Sequence, residues 1–171
     1  AILAANHMRL HIDDIAEPLD GMVAPNADHV AQLLAFALAW DRQGPMVIHC
    51  WAGISRSTAA AFITLCALNP EAPEARIARL LREASPTAYP NRLMIRLGDT
   101  ALGRGGPALA AFDTALTQMD GNDRARLLRL TRILRPRPTA ETVGGIGDSI
   151  AFTALTAGQR NAVESMYWLL N

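Results

Sequence analysis

The chain has 171 residues, half of them apolar, and its 16 basic residues, all arginine, balance 16 acidic ones to a formal charge of zero. That composition supplies a sizeable core but no broad field toward nucleic acid or an anionic membrane surface. The longest nearly unbroken apolar stretch, 59–68, is too short to span a bilayer. Two cysteines make no disulfide framework, so a reducing, cytoplasmic location is expected.

The chain opens on Ala1-Ile2-Leu3 rather than on methionine, so we expect a sequence that starts inside a longer protein, and with no charged-then-apolar pattern at the start nothing marks export. Alternation of Leu10 and Ile12 predicts a strand ending at Asp13, with the carboxylates Asp13, Asp14, Glu17 and Asp20 on the segment after it. Pro25 and Asn26 then precede helical spacing of Val30, Leu33, Leu34, Ala37 and Leu38, which predicts a helix over 28–41. Gly44-Pro45 breaks the chain before a short apolar strand over 46–48, and a helix is predicted over 58–68. Strand, helix, strand, helix is the order of a right-handed crossover with both strands parallel. The expected class is α/β, a partly parallel sheet flanked by helices.

Between that second strand and the helix after it lies His49-Cys50-Trp51-Ala52-Gly53-Ile54-Ser55-Arg56-Ser57. Backbone N–H groups at a helix start have no partner within the helix. Together with the helix dipole they suit a phosphoryl dianion, so Trp51, Ala52, Gly53, Ile54, Ser55 and Arg56 are the candidate phosphate-binding positions. The same field favours a thiolate over a thiol, making Cys50 a ready nucleophile. Gly53 lets the loop curl back. Arg56 returns across it with a planar fork that grips two phosphoryl oxygens, which a lysine point charge cannot do. Ser57 is placed to donate to the sulfur and help it leave. His49 is expected to support the loop through its ring nitrogens. The plain alternative, a buried thiol in a strand-to-helix turn, uses none of these neighbours.

These residues resemble the signature of the protein tyrosine phosphatase superfamily, His-Cys, five residues, then Arg-Ser or Arg-Thr, with the closest likeness to small dual-specificity enzymes. The resemblance runs from about residue 8 to the Gly-rich break at 103–106. It implies a cysteine phosphatase working through a phosphocysteine intermediate, with no metal and no cofactor. It also implies a general acid on a loop after a strand, some three dozen residues before the cysteine. On that ground Asp14 is the expected acid and Asp13 its reserve, with Glu17 and Asp20 weaker candidates; an aspartate that only caps a turn is the alternative for each. Arg82 and Tyr89-Pro90-Asn91 resemble a downstream motif of the same enzymes. Asn91 would cap the next helix and support the catalytic loop. Residues 92–97 depart from the usual Gly-Phe and Gln-Leu of that motif, which bears on the subfamily and not on the chemistry.

Helices are predicted over 74–84 and from Asn91 to about Leu102, and Leu102-Gly103-Arg104-Gly105-Gly106-Pro107 then marks a boundary. We expect a catalytic domain over 1–106 and a mostly helical segment over 107–171. Its helices would fall at 108–119, 123–134 and from Thr156 to the end, with Arg135-Pro136-Arg137-Pro138 excluded from helix. Arg126, Arg129, Arg132 and Arg135 fall along one helix side, read as a solvated face rather than a docking site. Gly144-Gly145-Ile146-Gly147-Asp148-Ser149 lacks the Lys-Ser/Thr ending of a nucleotide loop and is read as a connection. A phosphatase fold of four or five strands needs more than the two evident here, so either strands precede Ala1 or irregular segments, 2–4 among them, join the sheet. Cys66 is expected in the core.

The loop's variable positions Trp51, Ala52 and Ile54 are apolar, where phosphoinositide phosphatases of the superfamily commonly carry lysine. A phosphorylated protein or small aryl phosphate is therefore the expected substrate. Two other readings compete, a phosphopeptide-binding module that has lost catalysis and a sulfurtransferase using a cysteine persulfide.

Overall fold

The computed structural model describes residues 4–106, 110, 111 and 114, and the backbone of 149–154. After a 3-10 turn at Ala4–Asn6 the order is β1 (His7–His11), α1 (Ala27–Leu38), β2 (Met46–His49), α2 (Arg56–Leu68), α3 (Glu74–Ala84), α4 (Arg92–Leu102) and β3 (Ser149–Ala154). Among the described residues, the four helices α1 to α4 with few strands are compatible with an α/β phosphatase fold.

α2 is the central element. Its residues Ala59, Ala60, Phe62, Ile63, Thr64 and Cys66 are all buried, as expected of a helix with neighbours on most sides. α1, α3, α4 and β2 all pack against it. Ala59 and Ala60 are fully enclosed and, being small, allow close approach. Leu10, Ile12, Leu33, Ile77, Met94 and Ile95 complete the same core, each side chain of that size contributing about 1.5–3 kcal/mol on burial. α4 reaches closest at Gly98, where a Cβ would lie 2.6 Å from Ile63 Cγ1.

The helix ends follow from named residues. Asn26 caps α1 by accepting from the His29 backbone N–H at 3.0 Å, while the Asn26 N–H donates to His29 Nδ1 at 3.2 Å, a reciprocal box with histidine in the place of glutamate. α1 stops at Leu38, short of the expected Asp41. Beyond it the Trp40 indole donates to Gly44 O at 3.0 Å and the Gln43 N–H to Asp41 Oδ1 at 2.9 Å, holding a turn in which Arg42 has φ 60°. Gly103 closes α4 in the left-handed conformation.

The sheet corrects the expected topology. β1 and β2 are not neighbours, because β3 lies between them and pairs antiparallel with both. His7 to His11 run against Thr153 to Ser149, and Met46 to His49 against Ala154 to Ala151. β1 and β2 do point the same way, but both ladders are antiparallel, so the partly parallel sheet is replaced by an antiparallel one among the described residues. β3 comes from beyond the glycine-rich break, in the segment expected to be mostly helical. Ile150 and Phe152, alternating with small residues, carry a period-two pattern there. Of the segment 2–4, expected to join the sheet, Ala4 is in the 3-10 turn, and residues 2 and 3 lie outside the described residues. Ala110, Ala111 and Thr114 are helical. The rest of the tail helices, the arginine face and residues 144–148 lie outside the described residues. No helix among the described residues is long and apolar enough to cross a membrane.

Candidate active site

The loop expected to hold phosphate runs from the end of β2 to the start of α2. Cys50 is partly buried, and its Sγ lies 3.1 Å from the Ser57 Oγ in the first turn of α2. Gly53 has φ 69°, with open space where a Cβ would stand, so backbone conformation alone asks for glycine there. Among the described residues, the backbone N–H groups of 51–55 donate to no acceptor. Arg56 is only 6 % exposed, and its Nη1 donates to Ile12 O at 2.9 Å, tying the first residue of α2 to the chain just past β1.

The loop's far half is held from outside. The Thr58 hydroxyl donates to Ile54 O and to Ser55 O. The Tyr89 N–H donates to Ile54 O at 2.8 Å and the Asn91 N–H to Ser55 O at 3.3 Å, so the segment before α4 lies along the loop. Arg82 Nη1 donates to Ala88 O and holds that segment in its bend. Trp51, Ala52 and Gly53 are exposed, whereas Ile54 is buried. Ile54 therefore belongs to the core with its side chain, and only Trp51 and Ala52 offer apolar surface to a ligand.

The two aspartates after β1 separate clearly. Asp13 closes its own loop, accepting from the Val23 N–H at 2.6 Å while its N–H donates to Val23 O at 2.8 Å. Asp14 turns to the loop that carries Cys50. Its Oδ1 accepts from the Ser55 hydroxyl at 2.6 Å and from Asn91 Nδ2 at 2.9 Å. Glu17 and Asp20 are exposed further along that segment. Asn91, 6 % exposed, caps α4 through its Oδ1, which accepts from the Met94 N–H at 3.1 Å, and its Nδ2 also donates to Ile15 O at 3.1 Å. Its contact with the loop is thus made by its backbone, and its side chain goes to Asp14 and Ile15.

His49 differs from expectation. It is exposed at the end of β2, and no hydrogen bond joins its ring to the loop among the described residues. Thr58, Tyr89 and Asn91 do that work instead. The Ser55 hydroxyl is a participant the sequence did not reveal, because its partner stands 41 residues away in the chain. Cys66 is buried on α2 at 2 % exposure, as the core reading expects. Among the described residues no group of three or more His, Cys, Asp or Glu side chains is placed to hold a metal ion.

Residues 18–85 match the family model of the protein-tyrosine phosphatases. No curated protein and no solved structure matches the chain. The matched segment contains Cys50, Arg56 and Ser57, and stops short of Asp14 on one side and Asn91 on the other. The cysteine, the left-handed glycine and the buried arginine thus lie in one strand-to-helix loop, inside a segment, 18–85, that is similar to the protein-tyrosine phosphatase family.

Proposed function

We propose that this protein is a cysteine-dependent phosphomonoester hydrolase of the dual-specificity kind, acting on protein phosphotyrosine or a small aryl phosphate. Cys50 Sγ attacks phosphorus and the ester oxygen departs, taking a proton from Asp14. The resulting carboxylate then draws a proton from water, which attacks the phosphocysteine, and phosphate leaves as the thiolate is restored with the Ser57 hydroxyl beside it. Arg56 and the loop amides stabilise the charge that builds on the equatorial oxygens.

The observation that carries this reading is the tie between Asp14 and the loop that holds Cys50, made through Ser55. It gives nucleophile, cation and acid a common frame, as proton transfer to a leaving oxygen requires. The unspent amides of 51–55 support phosphate as the ligand. The exposed Trp51 and Ala52, and a chain without lysine, favour one phosphoryl group on an apolar body over a multiply phosphorylated headgroup.

The test is hydrolysis of a phosphotyrosine peptide across pH. Cys50→Ser should abolish turnover, and Asp14→Asn should lower it about a hundredfold or more and remove the falling alkaline limb. Activity that survives Cys50→Ser would overturn the mechanism. A parent protein that binds the peptide without turning it over would make the phosphopeptide-binding module the better reading, and phosphoinositide hydrolysis in preference to the peptide would overturn the substrate class.

A further inference from the structure

Ser55 stands at the N-cap of α2, where a serine hydroxyl ordinarily turns back onto the amides of its own first turn. It makes no such bond, and donates instead to Asp14 Oδ1 at 2.6 Å. The same oxygen takes the second donor, Asn91 Nδ2, at 2.9 Å. Asn91 is itself fixed on three further sides, by the Met94 N–H on its Oδ1, by Ile15 O on its Nδ2, and by its own N–H on Ser55 O. A closed ring of hydrogen bonds therefore runs from the Ser55 hydroxyl to Asp14, on to the Asn91 side chain, and back through the Asn91 N–H to Ser55. Its three members come from the end of the β1 segment, the catalytic loop and the start of α4.

Two donors on one carboxylate oxygen have a specific chemical result. Oδ1 is committed to accepting, so a proton on Asp14 sits on Oδ2, and the carboxyl plane is fixed against the residue that precedes Arg56. A general acid so held delivers its proton along one direction. The value of that alignment depends on the leaving group. An oxygen of high basicity departs only as it is protonated, whereas a nitrated phenolate leaves without help.

We propose that Ser55 and Asn91 are positioning residues for Asp14, which select the oxygen that carries its proton and so extend the enzyme's range to monoesters with poor leaving groups. This rests on Asp14 being the general acid. Ser55 uses its hydroxyl on the acid rather than on its own helix, and Asn91 joins acid placement to the capping of α4.

The experiment compares kcat/KM on dinitrophenyl phosphate and phenyl phosphate for the parent, Asp14→Asn, Ser55→Ala, Ser55→Thr and Asn91→Ser, the last keeping a side-chain oxygen for the cap while removing the amide. Asp14→Asn should raise the ratio of the two constants about a hundredfold or more, and Ser55→Ala and Asn91→Ser should each raise it about tenfold. Ser55→Thr, which restores the hydroxyl, should bring the ratio back toward the parent's. A loss of merely structural support would lower both constants together and leave the ratio where it was, and that result in both Ser55→Ala and Asn91→Ser overturns the proposal. If Asp14→Asn leaves the ratio unchanged, the acid assignment falls and the positioning role with it. If neither substrate is hydrolysed by the parent, the phosphatase reading itself fails.

Discussion

Cys50 and Cys66 flank the first three turns of one helix and should differ in reactivity. Burial pushes the Cys66 thiol up to about 12, with the Arg104 guanidinium working against that and the Glu74 and Asp99 carboxylates adding to it. At 2 % exposure it is also out of reach of a reagent. Cys50 is more open, in the loop that precedes the same helix, with a hydroxyl beside its sulfur. Iodoacetamide at pH 8 should therefore label Cys50 in the folded protein and spare Cys66 until denaturant is added, which peptide mass spectrometry would read directly. Labelling of Cys66 in the native state would show that α2 opens. At this scale much of the site was legible before the structure: cysteine, glycine, arginine and serine lie within one short loop, and their chemistry is local. The roles of Asp13 and Asp14 were not. Both are carboxylates after a strand, and the distinction rests on partners distant in sequence, Val23 for one and Ser55 with Asn91 for the other.

Among the elements, the contact of α4 with α2 has the least tolerance. Gly98 is a poor helix former, and replacing it with alanine would gain about 1 kcal/mol in an exposed helix. Here the added methyl would meet Ile63 Cγ1 at 2.6 Å and Cδ1 at 2.9 Å, with Ile63 itself enclosed. Overpacking typically costs about 1–3 kcal/mol and should win, so Gly98→Ala is expected to lower the urea midpoint with its slope unchanged. An unchanged or higher midpoint would mean that the helices can slide apart at no cost. The helices were predictable because each carries its own signals: Asn26 and Asn91 at two starts, Gly103 at an end, and apolar spacing between. α3 falls on 74–84 as the spacing gives it. Strand partners have no such local signal. β1 and β2 are short and share a direction, and nothing within either indicates whether they touch or take another strand between them.

For the molecule as a whole, Arg104 joins several elements at once. It lies past the end of α4, yet its Nη2 donates to Cys66 O at 2.7 Å, Asn69 O at 3.0 Å and Pro70 O at 2.9 Å, while its Nη1 donates to Ala72 O at 3.0 Å and Glu74 Oε1 at 2.8 Å. It thus satisfies carbonyls left open at the end of α2 and pins the start of α3 in one step. Arg104→Met would keep the stem and strand those acceptors, and we expect a loss of about 2–4 kcal/mol in urea unfolding with KM little changed, since Arg104 takes no part in the loop that carries Cys50. A loss below about 0.5 kcal/mol would mean that water replaces the guanidinium at no cost. The expected boundary near residue 106 rests on glycine and proline interrupting the helical pattern, a local cue that is blind to pairing over distance. β3 lies beyond it and joins β1 to β2. This gives the protein an order of birth. Translation delivers the segment bearing Asp14, then Cys50, and only much later the ribbon that fits between their two strands, a long-range closure of the slow kind. A half-made chain emerging from the ribosome already holds Asp14 and Cys50 while the sheet between their strands is still to be made.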